Sequence, residues 1–282
     1  MVTVGNLLRD TELTVLGPGQ FTIEPHRDWS IWGPVGGYLA AIAIRAAAEV
    51  TSMERPASMH IQFHRTATYS ESVVTAKAVA RGRQAEAIRV EMTQRGRSIF
   101  TASLWAIDDN PLAASRSWGQ APSVPRPLDL GRIDEMVEAE GGLVQPIWRS
   151  TVETRVPDWG GPDRPAGAPY QYGWMRLIDE VTITDPWISA ARVTFASDTI
   201  VFPALGRGFP IRETNFIAPT LDLYAAYHQG ICASQWILVE GQGWSATHGL
   251  LGGQATVWSE DGELVCTSAQ QMMIRQSVAL PR

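Results

Sequence analysis

Residues 33–50 read GPVGGYLAAIAIRAAAEV, and the character of this run decides the architecture. It opens on glycine and proline and continues as an alanine-rich helix former. Apolar residues lie all round the predicted helix apart from Arg45 and Glu49, which predicts burial on every side. The next fifty residues have another period. SMHIQFHRTA, VVTAKAVARG, AEAIRVEMTQ and SIFTASLWAI are short, rich in Val, Ile, Phe and Thr, and partly alternating, with breaks at Tyr69-Ser70, Gly82 and Arg95-Gly96. One buried helix succeeded by antiparallel strands is expected.

Residues 119–145 change composition. APSVPRPLDLG is proline-rich and EMVEAEGG is acidic, which suits a crossing linker. Beyond it the first pattern returns. IWRSTVETRV and YQYGWMRLIDEV read as strands, WISAARVTFASDTIVFPAL as a helix, and PTLDLYAAYH, ICASQWILVEG with SATHGLLGGQATVW, and ELVCTSAQQMMIR as strands again. The turn Arg95-Gly96-Arg97 has a counterpart in Asp261-Gly262-Glu263, a shift of 166 that also sets Thr101 on Thr267. A shift of 162 lays SMHIQF on TLDLYA. Similarity at a near-constant offset argues for duplication of one α+β unit. The expected domains are 1–119 and 145–282, with 120–144 as linker.

Composition narrows the function. Of 282 residues, 45% are hydrophobic and 18% charged, and the formal net charge is −6, so no nucleic-acid partner is expected. The arginine pairs at Arg81-Gly82-Arg83 and Arg95-Gly96-Arg97 read as solvated turn residues. Cys232 and Cys266 lie far apart in apolar company and are expected as buried free thiols. MVTVGNLLRDTEL has no basic region followed by an apolar one, and the longest apolar stretch is interrupted by Arg45. A reduced, cytoplasmic protein without a membrane partner is expected.

One carboxylate stands out. Asp198 in FASDTIVFPALGRG, residues 195–208, is an acid in an otherwise apolar run, where burying it unpaired is expensive. A helix N-cap explains it blandly, and catalysis explains it sharply. The place matching it in the first half, IWGPVGG, has no acid.

Three segments carry a family resemblance. RGRQAEAIRVEMTQRGRSIFTASLWA, FASDTIVFPAL and CTSAQQMMIR are similar, in order and spacing, to segments of the type II acyl-CoA thioesterases. The resemblance implies an α+β double hotdog, two antiparallel sheets each wrapped around a central helix. It also implies a thioesterase that hydrolyses acyl-CoA by water attack without an acyl-enzyme. No cofactor or metal is implied beyond the CoA of the substrate, and a homo-oligomer is expected. Position by position, the family's catalytic Asp, Thr and Gln fall on Asp198, Thr220 and Gln270. In this reading Asp198 sits at a helix start as general base, while Thr220 and Gln270 hold the water. Backbone N–H groups at a helix N-terminus are candidate donors to the oxyanion.

Alternatives stand beside this reading. Asp222, two residues after Thr220, would share its strand face and compete as the functional carboxylate. A one-residue register error would exchange Gln270 and Gln271. His60 and His64 lie too far apart on a strand to clamp one ion, and Gly243-Trp244-Ser245 lacks the second glycine of a nucleophile elbow. The Gly36-Gly37 pair is expected to let the helix pack closely on the sheet. A silent acyl-CoA-binding double hotdog and an enoyl-CoA hydratase-type enzyme are the rival functions.

Overall fold

Alanine-rich sequence does form the first central helix in the computed structural model, which describes residues 4–157, 165–179, 182–210 and 216–276. A short α1 (Leu7–Asp10) and a hairpin of β1 (Thr14–Gly17) and β2 (Gln20–Ile23) precede α2 (Gly36–Ala48), buried along nearly its whole length. Then come β3 (Arg55–Phe63), β4 (Ser72–Arg81), β5 (Ala85–Gln94) and β6 (Arg97–Ile107). Along β5 the residues Ile88, Val90 and Met92 alternate inward onto the core, the period-two pattern of a sheet buried on one face. Positive φ at Arg95 (50°) and Gly96 (73°) makes the two-residue turn between β5 and β6.

The segment expected as a linker holds a further strand. β7 (Gly131–Arg132), α3 (Ile133–Ala139) and α4 (Pro146–Ser150) precede β8 (Val152–Val156) and β9 (Tyr170–Leu177). The start of IWRSTVETRV, expected as strand, is helical because Pro146 sits in the first turn of α4 and favours a helix start. Residues 119–130 strap the outer sheet face of the second half. Ala121, Val124 and Leu130 pack on Trp174, Trp236 and Trp258, and the Trp174 indole donates to Pro125 O at 2.9 Å.

The second central helix, α5 (Pro186–Gly206), runs 21 residues. After it come β10 (Phe216–Ile217), β11 (Thr220–Tyr227), β12 (Ile237–Thr247), β13 (Leu250–Ser259), β14 (Leu264–Met273) and β15 (Arg275–Gln276). The two expected sheets join edge to edge into one antiparallel sheet of 13 strands, ordered β1-β2-β4-β5-β6-β3-β11-β14-β13-β12-β9-β8-β7. The joint is β3 on β11, from Gln62 opposite Asp222 to Ser58 opposite Ala226. A small second sheet pairs β10 with β15.

Duplication is visible at this joint. A shift of 164 carries the buried Met59 and Ile61 onto the buried Leu223 and Ala225, and carries His60 onto Tyr224, the residue it faces. His64 meets the Thr101 hydroxyl at 3.3 Å, and its counterpart His228 meets Thr267 at 3.0 Å. Both histidines serve the sheet surface. Among the described residues no group of three or more His, Cys, Asp or Glu gathers that could hold a metal ion. Cys232 and Cys266 are buried free thiols, and no helix among the described residues is long and apolar enough to cross a membrane.

Inside the sheet, α2 and α5 pack on each other. A Cβ on Gly37 would lie 2.7 Å from Phe195 Cα and 2.9 Å from Phe195 O, backbone atoms that cannot step aside. The expectation for Gly37 is corrected here. It admits a helix onto a helix rather than a helix onto the sheet.

Candidate active site

Asp198 is not at the start of its own helix. It lies in the interior of α5, whose start is Asp185, with a carboxylate accepting from Trp187 N at 2.7 Å and Ile188 N at 3.4 Å, and Pro186 in the first turn. The helix start beside Asp198 belongs to the other half. Asp198 Oδ2 accepts from Gly37 N at 2.6 Å, in the first turn of α2, where the N-cap Val35 offers no capping side chain. The N–H of Gly36 is bonded to no acceptor among the described residues. A Cβ on Gly36 would sit 3.1 Å from Asp198 Oδ2, so glycine keeps this end of the helix open beside the carboxylate.

The other two candidates converge on the same acid. The Thr220 hydroxyl, at the first position of β11, donates to Asp198 Oδ1 at 3.1 Å. Gln270 on β14 points inward, 2% exposed, and its Nε2 donates to the main-chain oxygen of Asp198 at 3.3 Å. Its Oε1 is buried without a hydrogen-bond partner among the described residues. Gln271 is exposed on the opposite face, so the register places Gln270 at the site.

Asp222 falls elsewhere. A bulge between Thr220 and Asp222 sets Thr220 opposite the buried Met272 but Asp222 opposite the exposed Gln271. The bulge breaks the period of two, and Asp222 turns to the outer face with Tyr224. The Gly243-Trp244-Ser245 stretch likewise lies inside β12, at a bulge, rather than between a strand and a helix.

Burial sets the electrostatics. Asp198 is 8% exposed, and desolvation pushes its pKa up to about 6 from an ordinary 3.8, against the pull of the Gly37 N–H and the Thr220 hydroxyl. These two favourable hydrogen bonds, one of them from the N-terminus of α2, do not offset the loss of water. The group is ionised at neutral pH yet basic enough to take a proton.

The surroundings are apolar. One helical turn beyond Asp198, Phe202 meets the edge of Trp32 at 5.0 Å between ring centroids and that of Phe216 at 6.0 Å. Trp32 is 41% exposed and forms part of the rim. Another face of α5, with Thr199, Ile200 and Pro203, lines a small apolar cleft against Trp148, Val156 and Met175.

The Gly37 amide is the partner that local reading missed. Its signal was the glycine pair together with the absence of any Ser, Thr, Asp or Asn in residues 32–35, so that α2 lacked a cap of its own.

The chain matches two family models, described as the acyl-CoA thioesterase N-terminal domain over residues 25–107 and C-terminal domain over residues 122–274. Solved structures share the fold at low identity. A conserved protein of unknown function with a hot dog fold from Alicyclobacillus acidocaldarius is 20% identical with a TM-score of 0.81, covering 96% of this chain and 98% of that one. The acyl-CoA thioesterase II TesB2 of Mycobacterium marinum is 18% identical with a TM-score of 0.76, over 98% and 100%. The tesB protein of Mycobacterium avium subs paratuberculosis is 21% identical with a TM-score of 0.76, over 97% and 100%. No curated protein matches the chain. With both models matched in order over most of its length, on one sheet of two fused hotdogs, the chain belongs to the acyl-CoA thioesterase family.

Proposed function

We propose that the protein hydrolyses acyl-CoA thioesters to free acid and CoA by direct attack of water. The observation that supports this most is the convergence of Thr220 and Gln270, from two strands, on the buried Asp198, with one acceptor, Gln270 Oε1, left open. A water between Asp198 and Gln270 gives one proton toward each acceptor and presents its lone pair to the thioester carbon. Thr220, donating its hydroxyl proton to Asp198 Oδ1, fixes the orientation of the carboxylate that receives the water's proton.

In the reaction Asp198 takes a proton as the water oxygen bonds to the carbonyl carbon. The negative charge that develops on the carbonyl oxygen is met by the N–H of Gly36 at the N-terminus of α2. When the carbon–sulfur bond breaks, the electron pair leaves on sulfur and the proton on Asp198 returns to it as the thiol. The acyl chain is held among the apolar side chains around the site, with Trp32 and Phe202 at its rim.

Release of free thiol from acyl-CoAs of short, medium and long chain tests the reading. Turnover of at least one chain length, lost in Asp198→Asn, is the expected result. No turnover at any length, with acyl-CoA still raising the melting temperature, overturns hydrolysis in favour of a binding protein.

A further inference from the structure

The duplicated fold gives the sheet two pseudo-equivalent ends at the joint, and they carry opposite charge. At one end the chain leaves β3 through His64 and Arg65, whose N–H groups donate to Ile99 O at 2.7 and 3.3 Å, beside the turn Arg95-Gly96-Arg97. At the other end the corresponding positions are Gln229, Asp261 and Glu263, reached by shifts of 164 and 166. Three cations at one end thus face two acids and a neutral residue at the other.

The cationic end is the one with the candidate site. Thr220 lies two residues before Asp222, which pairs with Gln62, so it sits beside the end of β3. Phe63, two residues before Arg65, has its ring 3.4 Å from where a Cβ on Gly36 would be. All three arginines are exposed, and among the described residues none forms an ion pair. Arg65 donates from Nη1 to Ser98 O at 3.1 Å, which holds the side chain against the end of β6. Arg95 holds a positive φ, a conformation for which turns ordinarily use Asn, Asp or Gly, and so the cation stands at the tip. At the other end, by contrast, Arg55 is neutralised by Asp109 at 2.6 Å.

Cations clustered without ion pairs at one end matter in a chain of net charge −6, because they give that end a local field opposite in sign to the chain's net charge. We infer that Arg65, Arg95 and Arg97 form the anchor for the phosphates of a nucleotide-bearing thiol carrier, the 3′-phosphoadenosine diphosphate end of CoA. This rests on the thioesterase reading for the position of the thioester, but not for the anchor itself. A bare pantetheine thioester would leave the three arginines unused. Planar guanidinium groups suit phosphate oxygens, and exposure at the rim lets the nucleotide stay in solvent while the pantetheine arm enters beside Phe63.

The test uses adenosine 3′,5′-bisphosphate, which has the nucleotide end and no thioester. It should bind the intact protein with an affinity that falls as salt rises. The triple variant Arg65→Gln, Arg95→Asn, Arg97→Gln should weaken that binding by about tenfold or more. Its KM for acyl-CoA should rise to match, while turnover of the acyl-N-acetylcysteamine thioester stays unchanged. Asp261→Asn with Glu263→Gln, at the opposite end, should alter neither. No binding of the bisphosphate, equal binding by the triple variant, or an equal loss on both thioesters overturns the anchor. Binding of the bisphosphate without any thioester turnover would leave the anchor standing and remove the hydrolase.

Discussion

The two central helices begin in opposite ways. α5 starts at Asp185, whose own carboxylate takes the N–H groups of Trp187 and Ile188, whereas α2 starts at Val35 with no capping side chain. The missing carboxylate comes from the other half, where Asp198 accepts from Gly37 N. A duplicated fold has here replaced a local cap by a contact across the joint between its halves. The replacement draws an acid into the core and raises its pKa, so the same group that completes α2 is poised as a base. Cap for α2 and proposed base are one residue, placed between two helices.

The largest expected effect comes from removing the charge that links the halves. Asp198→Asn should lower turnover by about 10²–10⁴-fold, read as thiol release under saturating acyl-CoA. Stability should move the other way. The folded-state pKa near 6 lies above the unfolded 3.8, so the carboxyl contributes fully below the unfolded value and loses that contribution as pH rises through about 6. The ionised group then disfavours the folded state by on the order of 3 kcal/mol. At pH 8 the melting temperature of Asp198→Asn should therefore equal or exceed that of the unmodified protein.

Gly37→Ala attacks the same link from the other side. Its Cβ would press on Phe195 Cα and O and come within 2.9 Å of Asp198 Cβ, forcing the helices apart. A loss of about 1–3 kcal/mol of stability is expected, with turnover down by about 10²-fold as the carboxylate shifts. Gln270→Ala, which removes the open acceptor together with the Nε2 bond to Asp198 O but leaves the Gly37 link intact, should lower kcat by about 10- to 100-fold and cost about 2 kcal/mol of stability by emptying a buried site. Gln271→Ala is its control and should do neither.

The helix starts supply the converse. Asp185→Ala should cost about 1 kcal/mol in denaturant unfolding and leave turnover alone, because α5 loses only its own cap. Smallest of all, Asp222→Asn should change stability by less than about 0.5 kcal/mol and leave turnover unchanged, since it faces outward.

Much of this was legible in the chain. β4 to β6 match the alternating segments almost residue for residue, β3 begins three residues and ends four residues before its segment, and α2 matches its alanine run, because burial on one face or on all faces imposes those patterns directly. Asp198, Thr220 and Gln270 were legible through family resemblance, and the structure brings all three together. Three features were not. The helix read from Trp187 matches α5 to within a residue, yet the resemblance set Asp198 at a helix start, whereas the start signals are Asp185 and Pro186 upstream. The outward turn of Asp222 depends on a bulge, which an alternating pattern does not announce. The bond from Gly37 to Asp198 spans 161 residues and leaves only a negative mark locally, a helix start without a cap.

The most direct test of the central claim is the dependence of kcat/KM on pH for acyl-CoA hydrolysis, measured on the protein and on Asp198→Asn. A single acidic limb is predicted, with activity rising through an apparent pKa near 6 as Asp198 ionises and reaching a plateau above it. The limb should vanish with the activity in Asp198→Asn. An Asp198→Asn protein that keeps both the rate and the limb would contradict the account.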